Sequence, residues 1–235
     1  MGKGIFILGT DTDVGKTFVT AGLVHVLRKN GYNACGFKPV QSGGLETEEG
    51  LIPTDAEFVK KVANIEEDLK NLYSYCLKKP ASPHLSAQIE HVKIEPEKIM
   101  KDYKALADGY DLVVVEGSGG AVVPLIDENY TISNLMKDLN LPVIIVARAG
   151  LGTINHTCLT VHYAEGLGVE IKGIIINGYK GSIIEDDNIK MIEKITKKPI
   201  LGIINQLSSA ENEKDLIKNI RSEFEKNVNI KKLNL

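Results

Sequence analysis

The 235 residues suit one α/β domain, enough chain to remove roughly 70–75 % of its unfolded surface from water without disulfide or metal staples. Hydrophobic residues at 43 % and charged residues at 25 % are ordinary for a globular chain and indicate neither disorder nor a membrane class. With 28 basic against 31 acidic side chains the formal charge is -3, so no global field draws nucleic acid or anionic lipid, and any anion has to be bound locally.

Residues 5–8 form a short apolar run that predicts a buried strand and is too short for a secretion signal. A helical pattern through Leu23, Val26 and Leu27 follows, then a second strand over 34–37. Later apolar runs at 112–115, 143–147 and 171–176 each lead into a helix-like stretch. Such alternation predicts a mostly parallel central sheet with helices on both faces. The absence of polar alternation within the runs fits strands buried on both sides. Residues 41–54 read as a long polar loop, His84 as a loop residue, and 188–235 as a helix-patterned, lysine- and asparagine-rich closing surface. No repeat, low-complexity tract or linker divides the chain, so 1–235 is expected to form a single domain. No apolar stretch approaches the ~20 residues that span a bilayer. Cys35, Cys76 and Cys158 are odd in number and far apart, which argues against a disulfide framework and for a reduced, cytoplasmic setting.

Ligands of such sheets collect beyond the carboxyl ends of the strands, and there the polar residues gather. Residue 8 is followed by Gly9-Thr10-Asp11-Thr12-Asp13-Val14-Gly15-Lys16-Thr17, a turn from a buried strand into a helix. Backbone N–H groups of such a turn can surround a phosphate, and the helix N-terminus adds favourable partial charge. Lys16 would reach the β- and γ-phosphates and the Thr17 hydroxyl would sit on Mg²⁺. The interval between Gly9 and Gly15 is one residue longer than the generic phosphate-loop spacing, but a plain turn has no need of consecutive Gly-Lys-Thr. The pattern predicts ATP binding on a P-loop NTPase fold.

Residues 112–116 resemble the hydrophobic strand whose terminal carboxylate, here Glu116, supports Mg²⁺ in phosphate-loop enzymes. The glycines at 117, 119 and 120 let backbone approach a ligand closely. Asp55 is either a further magnesium carboxylate or the cap of a helix. Lys38, between 34–37 and Pro39, either points from a strand end into the same crevice or is a surface lysine. Asn177 either reads the edge of adenine or forms a turn. Gly152-Thr153-Ile154-Asn155 opens a helix, as a second anion site or as a plain capped start. No His/Cys metal spacing is visible.

Taken together, Gly9 to Thr17, Phe37-Lys38-Pro39-Val40-Gln41-Ser42-Gly43, Pro80-Ala81-Ser82-Pro83-His84, Glu116-Gly117-Ser118-Gly119-Gly120 and residues 150–156 resemble the dethiobiotin synthetases, in order over most of the chain. The longer phosphate loop is shared with that family. The resemblance implies an ATP-dependent cyclo-ligase of biotin biosynthesis, which joins CO2 to 7,8-diaminononanoate through a carbamate and a carbamic-phosphoric mixed anhydride. It implies Thr17, Asp55 and Glu116 as magnesium ligands, and Lys16, Lys38, Thr12 and Ser42 as catalytic groups. Nucleotide contacts fall on Asp13, Val14, Gly15, Lys16, Thr17, Phe18, Glu116, Gly117 and Asn177. A homodimer is also implied, with Gly152, Thr153, Ile154 and Asn155 receiving the substrate carboxylate of the neighbouring subunit.

Asp13 stands where a glutamate is common in the family, and Asn205 where a proline is usual. The competing expectation is a ParA/MinD-like regulatory ATPase switch. Its signature lysine early in the loop is missing, where this chain has Thr10, Asp11 and Thr12. Residues 227–235, with two lysines and no aromatic, make a poor membrane anchor. Neither membrane nor nucleic acid is expected as a partner.

Overall fold

The computed structural model describes residues 4–48 and 50–233; the two ends of the expected 1–235 domain and Glu49, within the 41–54 segment, lie outside them. Strand β1 (Gly4–Gly9) runs through the glycine-containing turn into helix α1 (Lys16–Lys29), and β2 (Ala34–Ser42) follows. A hairpin of β3 (Leu45–Thr47) and β4 (Gly50–Ile52) leads to α2 (Thr54–Ala63), a 3-10 turn at Leu69–Asn71 and β5 (Tyr73–Leu77). Helices α3 (Pro83–Ile89) and α4 (Pro96–Gly109) each open on a proline, whose missing N–H removes no helical bond there. Next come β6 (Leu112–Glu116), α5 (Ile132–Leu139), β7 (Val143–Arg148) and α6 (Thr153–Gly166). The described chain closes with β8 (Ile171–Tyr179), α7 (Ile183–Thr196), β9 (Ile200–Asn205), α8 (Glu213–Asn227) and a 3-10 turn at Ile230–Leu233.

Seven strands make one parallel sheet in the order β5-β2-β6-β1-β7-β8-β9. Every residue of β1 and β6 is buried, which requires cover on both faces. Right-handed crossovers place α1 and α2 on one face, where α8 joins them, and α4 to α7 on the other. The contacts of α1 with α2 and α8, of α4 with α5 and of α6 with α7 follow this division. Ile7 stands opposite Glu116 and Gly9 opposite Val146, so the turn after β1, the end of β6 and the end of β7 emerge at one edge.

Several segments differ from their sequence reading. Strand β2 does not stop before Pro39. It pairs with β6 as far as Phe37↔Val115 and with β5 from Lys38↔Tyr73 onward, so the proline's missing N–H falls beyond the last β6 pairing. Lys38 is therefore a mid-strand residue. Residues 41–54 are the end of β2 plus the β3–β4 hairpin, not one long loop. The 188–235 segment is not helical throughout but contains β9, whose Leu201 and Ile204 are buried. Its short apolar run, broken by Gly202, is masked by polar flanks. His84 lies in the first turn of α3 rather than in a loop.

Helix α1 passes close to α8 at Gly22, where a Cβ would stand 2.2 Å from Cγ of Phe224, itself packed on Phe18 at 5.6 Å between ring centroids. Gly22→Ala is expected to destabilise the fold by about 1–3 kcal/mol through overpacking, against the ~1 kcal/mol gained in helix propensity. A lowered urea midpoint checks this; an unchanged one would show that Phe224 yields freely.

Candidate functional site

The turn after β1 is shaped by Gly15, which caps α1 with φ 90° and ψ 34°. That left-handed conformation favours glycine, and a Cβ there would lie 2.0 Å from Asn177 Nδ2. The same Nδ2 donates to the Val14 carbonyl at 3.0 Å, tying the end of β8 to the turn. Asp13 also has positive φ, 56°. Lys16 is buried, and its ammonium donates to the Asp11 carbonyl at 2.9 Å. Burial, then the nearby Lys38 charge, lowers the Lys16 pKa to about 8 against the opposing pull of Glu116, Asp13 and Asp11.

Lys38, Asp55 and Glu116 come from three different elements and meet. The Lys38 ammonium, 6 % exposed as a residue, lies 2.5 Å from Glu116 Oε1 and 2.8 Å from Asp55 Oδ2. Thr17, in the first turn of α1, donates its hydroxyl to the same Glu116 oxygen at 2.7 Å. Burial works against the Lys38 charge, but the two carboxylates outweigh it and hold its pKa above the ordinary lysine range. Burial pushes the Glu116 carboxyl up, with Lys38 and Thr17 pulling the other way and Asp55 adding to the rise. Glu116 Oε2 is buried with no hydrogen-bond partner. An orphaned carboxylate oxygen is costly in a native interior and calls for an ion, a ligand or water. Among the described residues, no group of three or more His, Cys, Asp or Glu side chains could hold a metal ion by itself. Any cation here would rest on the Thr17 hydroxyl and two carboxylates, all hard oxygen donors.

Two cavities lie beside the phosphate turn, one reaching Phe18 and Asn177 and the other Thr10 to Thr12. One, about 630 Å³, is lined by Phe18, Asn177, Gly178, Asn205 and Leu216 among others. The backbone N–H and side-chain amide of Asn205 both donate to Glu223 Oε1, at 2.8 and 2.7 Å, so this residue is held toward α8. The other, about 730 Å³, opens between Thr12, Gly120 and the α6 residues Leu159 and Tyr163. Ser42 ends β2 opposite Leu77, and Gly117 is buried behind Glu116 with its N–H on the Ile7 carbonyl. The start of α6 stands apart from the cluster. Gly152 caps it with φ 83°, Thr153 donates its hydroxyl to the Arg148 carbonyl, and the N–H groups of Ile154 and Asn155 have no backbone partner.

Three residues that sequence reasoning gave no role now stand in the site. Arg148 donates to the Thr12 carbonyl at 3.1 Å, Ser118 donates to the Val40 carbonyl at 2.6 Å, and buried Gln41 bonds the start of α2. None carried a signal of its own: Gln41 falls at the start of the stretch that reads as a polar loop, and its burial in β2 appears only in the fold.

A buried parallel strand feeding a Gly-Lys-Thr turn, with a strand-end carboxylate on the threonine, is the construction of a P-loop nucleotide-binding domain, and a family model described as an AAA domain matches residues 3–214. The chain is 53 % identical over 210 residues to the ATP-dependent dethiobiotin synthetase of Clostridium kluyveri, covering 88 % of this chain and 87 % of that protein. It is 46 % identical over 222 residues to the Clostridium novyi enzyme of the same name, covering 93 % of each. This chain belongs to the dethiobiotin synthetase family. Solved structures with a similar fold include the MinC:MinD cell division complex of Aquifex aeolicus, at TM-score 0.57 and 16 % identity over 94 % of this chain and 86 % of that one. A ParA family ATPase from Chlorobium tepidum follows at TM-score 0.56 and 14 % identity, covering 96 % and 91 %. At such identities the likeness is one of fold alone, so the regulatory-switch reading gains nothing from it beyond the shared P-loop architecture.

Proposed function

We propose that the chain closes a cyclic urea on 7,8-diaminononanoate with CO2 and ATP, forming dethiobiotin, ADP and phosphate. The observation that carries the reading is the Lys38 ammonium held between Asp55 and Glu116 beside the Lys16–Thr17 turn. One substrate amine takes up CO2 as a carbamate and gives up a proton. The carbamate oxygen attacks the γ-phosphorus and ADP leaves. The second amine then attacks the carbonyl carbon of the mixed anhydride, forms the ring C–N bond and expels phosphate. Carbamate and γ-phosphate are both anions, so the reaction needs positioning and charge neutralisation more than acid–base chemistry.

Lys16 and Lys38 supply the two cations. Thr12 and Ser42 hold the reacting end of the diamine, Asp13 to Phe18 with Gly117 hold the phosphates, and Asn177 and Phe18 hold the base in the cavity they line. Thr17, Asp55 and Glu116 would hold Mg²⁺, and the orphaned Glu116 Oε2 and the all-oxygen donor set fit it. When bound, Mg²⁺ neutralises phosphate charge. A homodimer belongs to the same reading, in which the unpartnered N–H groups and partial positive charge at the start of α6 receive the partner's substrate carboxylate. Exposed Val122, Leu151 and Leu159 support a partner near that helix. The free thiols of Cys35, Cys76 and Cys158 fit a cytoplasmic setting, and no described helix is long and apolar enough to cross a membrane.

Release of ADP is expected to require both bicarbonate and the diamine, falling to background when either is left out. Hydrolysis that ignores the diamine would replace this reading with the ATPase switch.

A further inference from the structure

Asp55 reaches the cluster from the first turn of α2, and that turn has an unusual anchor. The residue before the helix is Pro53, which offers no side-chain cap, and the first intrahelical bond is Glu57 N–H to the Pro53 carbonyl at 2.9 Å. The Asp55 N–H therefore belongs to the donors a helix start leaves free. It is taken up by Gln41 Oε1 at 2.9 Å, while Gln41 Nε2 donates to the Thr54 hydroxyl at 2.8 Å. The orientation of this amide is fixed chemically, because a backbone N–H can face only the oxygen end. Gln41 is 2 % exposed, and a buried amide is tolerated when both ends are bonded, as here.

Gln41 and Lys38 both lie on β2, so one strand grips the start of α2 twice. Lys38 holds the Asp55 carboxylate and Gln41 holds its backbone. Between β2 and α2 the chain leaves through the β3–β4 hairpin, whose Leu45 and Glu46 are exposed. The Gly44 N–H and the Glu46 carboxylate tie this excursion to the end of β5, on the Leu77 carbonyl and on Lys78, not to α2.

We propose that Gln41 is a positioning residue for Asp55: its amide clips the two ends of the hairpin excursion and aims the first turn of α2 at the Lys38–Glu116 cluster. The inference rests on the reading of Asp55 as a magnesium carboxylate. Groups that orient metal-ligating side chains commonly govern metal affinity by roughly tenfold or more.

The test uses the full chain. Gln41→Met keeps the length and volume of the side chain and removes both bonds. In the metal-free protein, exchange of the Asp55 amide hydrogen is expected to quicken by roughly tenfold. In the ADP-release assay, the Mg²⁺ concentration for half-maximal rate is expected to rise by about tenfold, with the rate at saturating Mg²⁺ little changed. Gln41→Glu, which keeps an acceptor for the Asp55 N–H, is expected to restore slow exchange and most of the magnesium response. An unshifted magnesium requirement in Gln41→Met, alongside a shifted one in Asp55→Asn, overturns the proposal, as does unchanged amide exchange. If Asp55→Asn itself behaves like the parent, the metal reading of Asp55 is what has failed and the proposal falls with it. Should Gln41→Met not fold, Thr54→Val removes the other half of the clip from a less buried position. It is then expected to shift both readouts in the same direction, and a shift in neither overturns the proposal.

Discussion

Replacing Lys38 with methionine is expected to lower turnover about a hundred- to a thousandfold while the fold persists, since one preorganised donor facing developing charge can supply ~3–4 kcal/mol of barrier. Methionine fills similar space but removes the cation between Asp55 and Glu116. The fold is expected to persist because the replacement conserves volume and the Thr17 hydroxyl still donates to the Glu116 oxygen. Steady-state kcat with saturating ATP and diamine, together with a thermal melt, separates chemistry from folding. Near-parent kcat in a folded Lys38→Met protein would remove Lys38 from the mechanism.

Two inactive proteins are expected to make an active one. Lys16→Ala disables the phosphate turn and leaves α6 intact. Asn155→Pro leaves the phosphate turn intact and removes an N–H at the start of α6 that bonds no backbone group, the first intrahelical bond there being His156 N–H to the Gly152 carbonyl at 3.2 Å. In the proposed dimer each site joins the phosphate turn of one subunit to the α6 of the other. A heterodimer of the two variants then has one complete site. Random exchange of equal amounts makes half the dimers mixed, so the mixture should regain about a quarter of parent activity. Sites built within single subunits predict no recovery. That result, with exchange demonstrated by differently tagged chains, would end the shared-site reading, as would an active monomer.

The parts legible in the sequence are those encoded over short stretches. Residues 5–8 and 112–115 announce buried parallel strands by unbroken apolar character, and Gly15-Lys16-Thr17 announces a phosphate turn by its chemistry. The sequence leaves Lys38 open between the crevice and the surface, and Asp55 between a magnesium carboxylate and a helix cap, because their meaning lies in a meeting. Lys38 and Glu116 are 78 positions apart and come together only when β2 and β6 pair. Asp55 does not cap α2: the cap position is Pro53, Asp55 lies inside the first turn, and the anchor of that turn is Gln41, reached from β2. The β3–β4 hairpin escaped notice because three-residue strands are too short to show a period. Asn177 offers the sequence two readings, the edge of adenine or a turn; its tether to the Val14 carbonyl, which shapes the phosphate turn from behind, appears only in the fold.

The place of β1 in the sheet bears on how the chain comes to be folded at all. Its neighbours are β6 and β7, made from residues 112–116 and 143–148. At a synthesis rate of roughly 10 residues per second, β1 waits about ten seconds for the first of them. During that interval the apolar, β-prone run Ile5-Phe6-Ile7-Leu8 has no native edge to pair with, and parallel pairing across such a separation is intrinsically slow and exposed to aggregation. The order in which strands leave the ribosome is therefore not the order in which they pair, and one of the most deeply buried segments of the finished protein must first be kept from meeting the wrong partner.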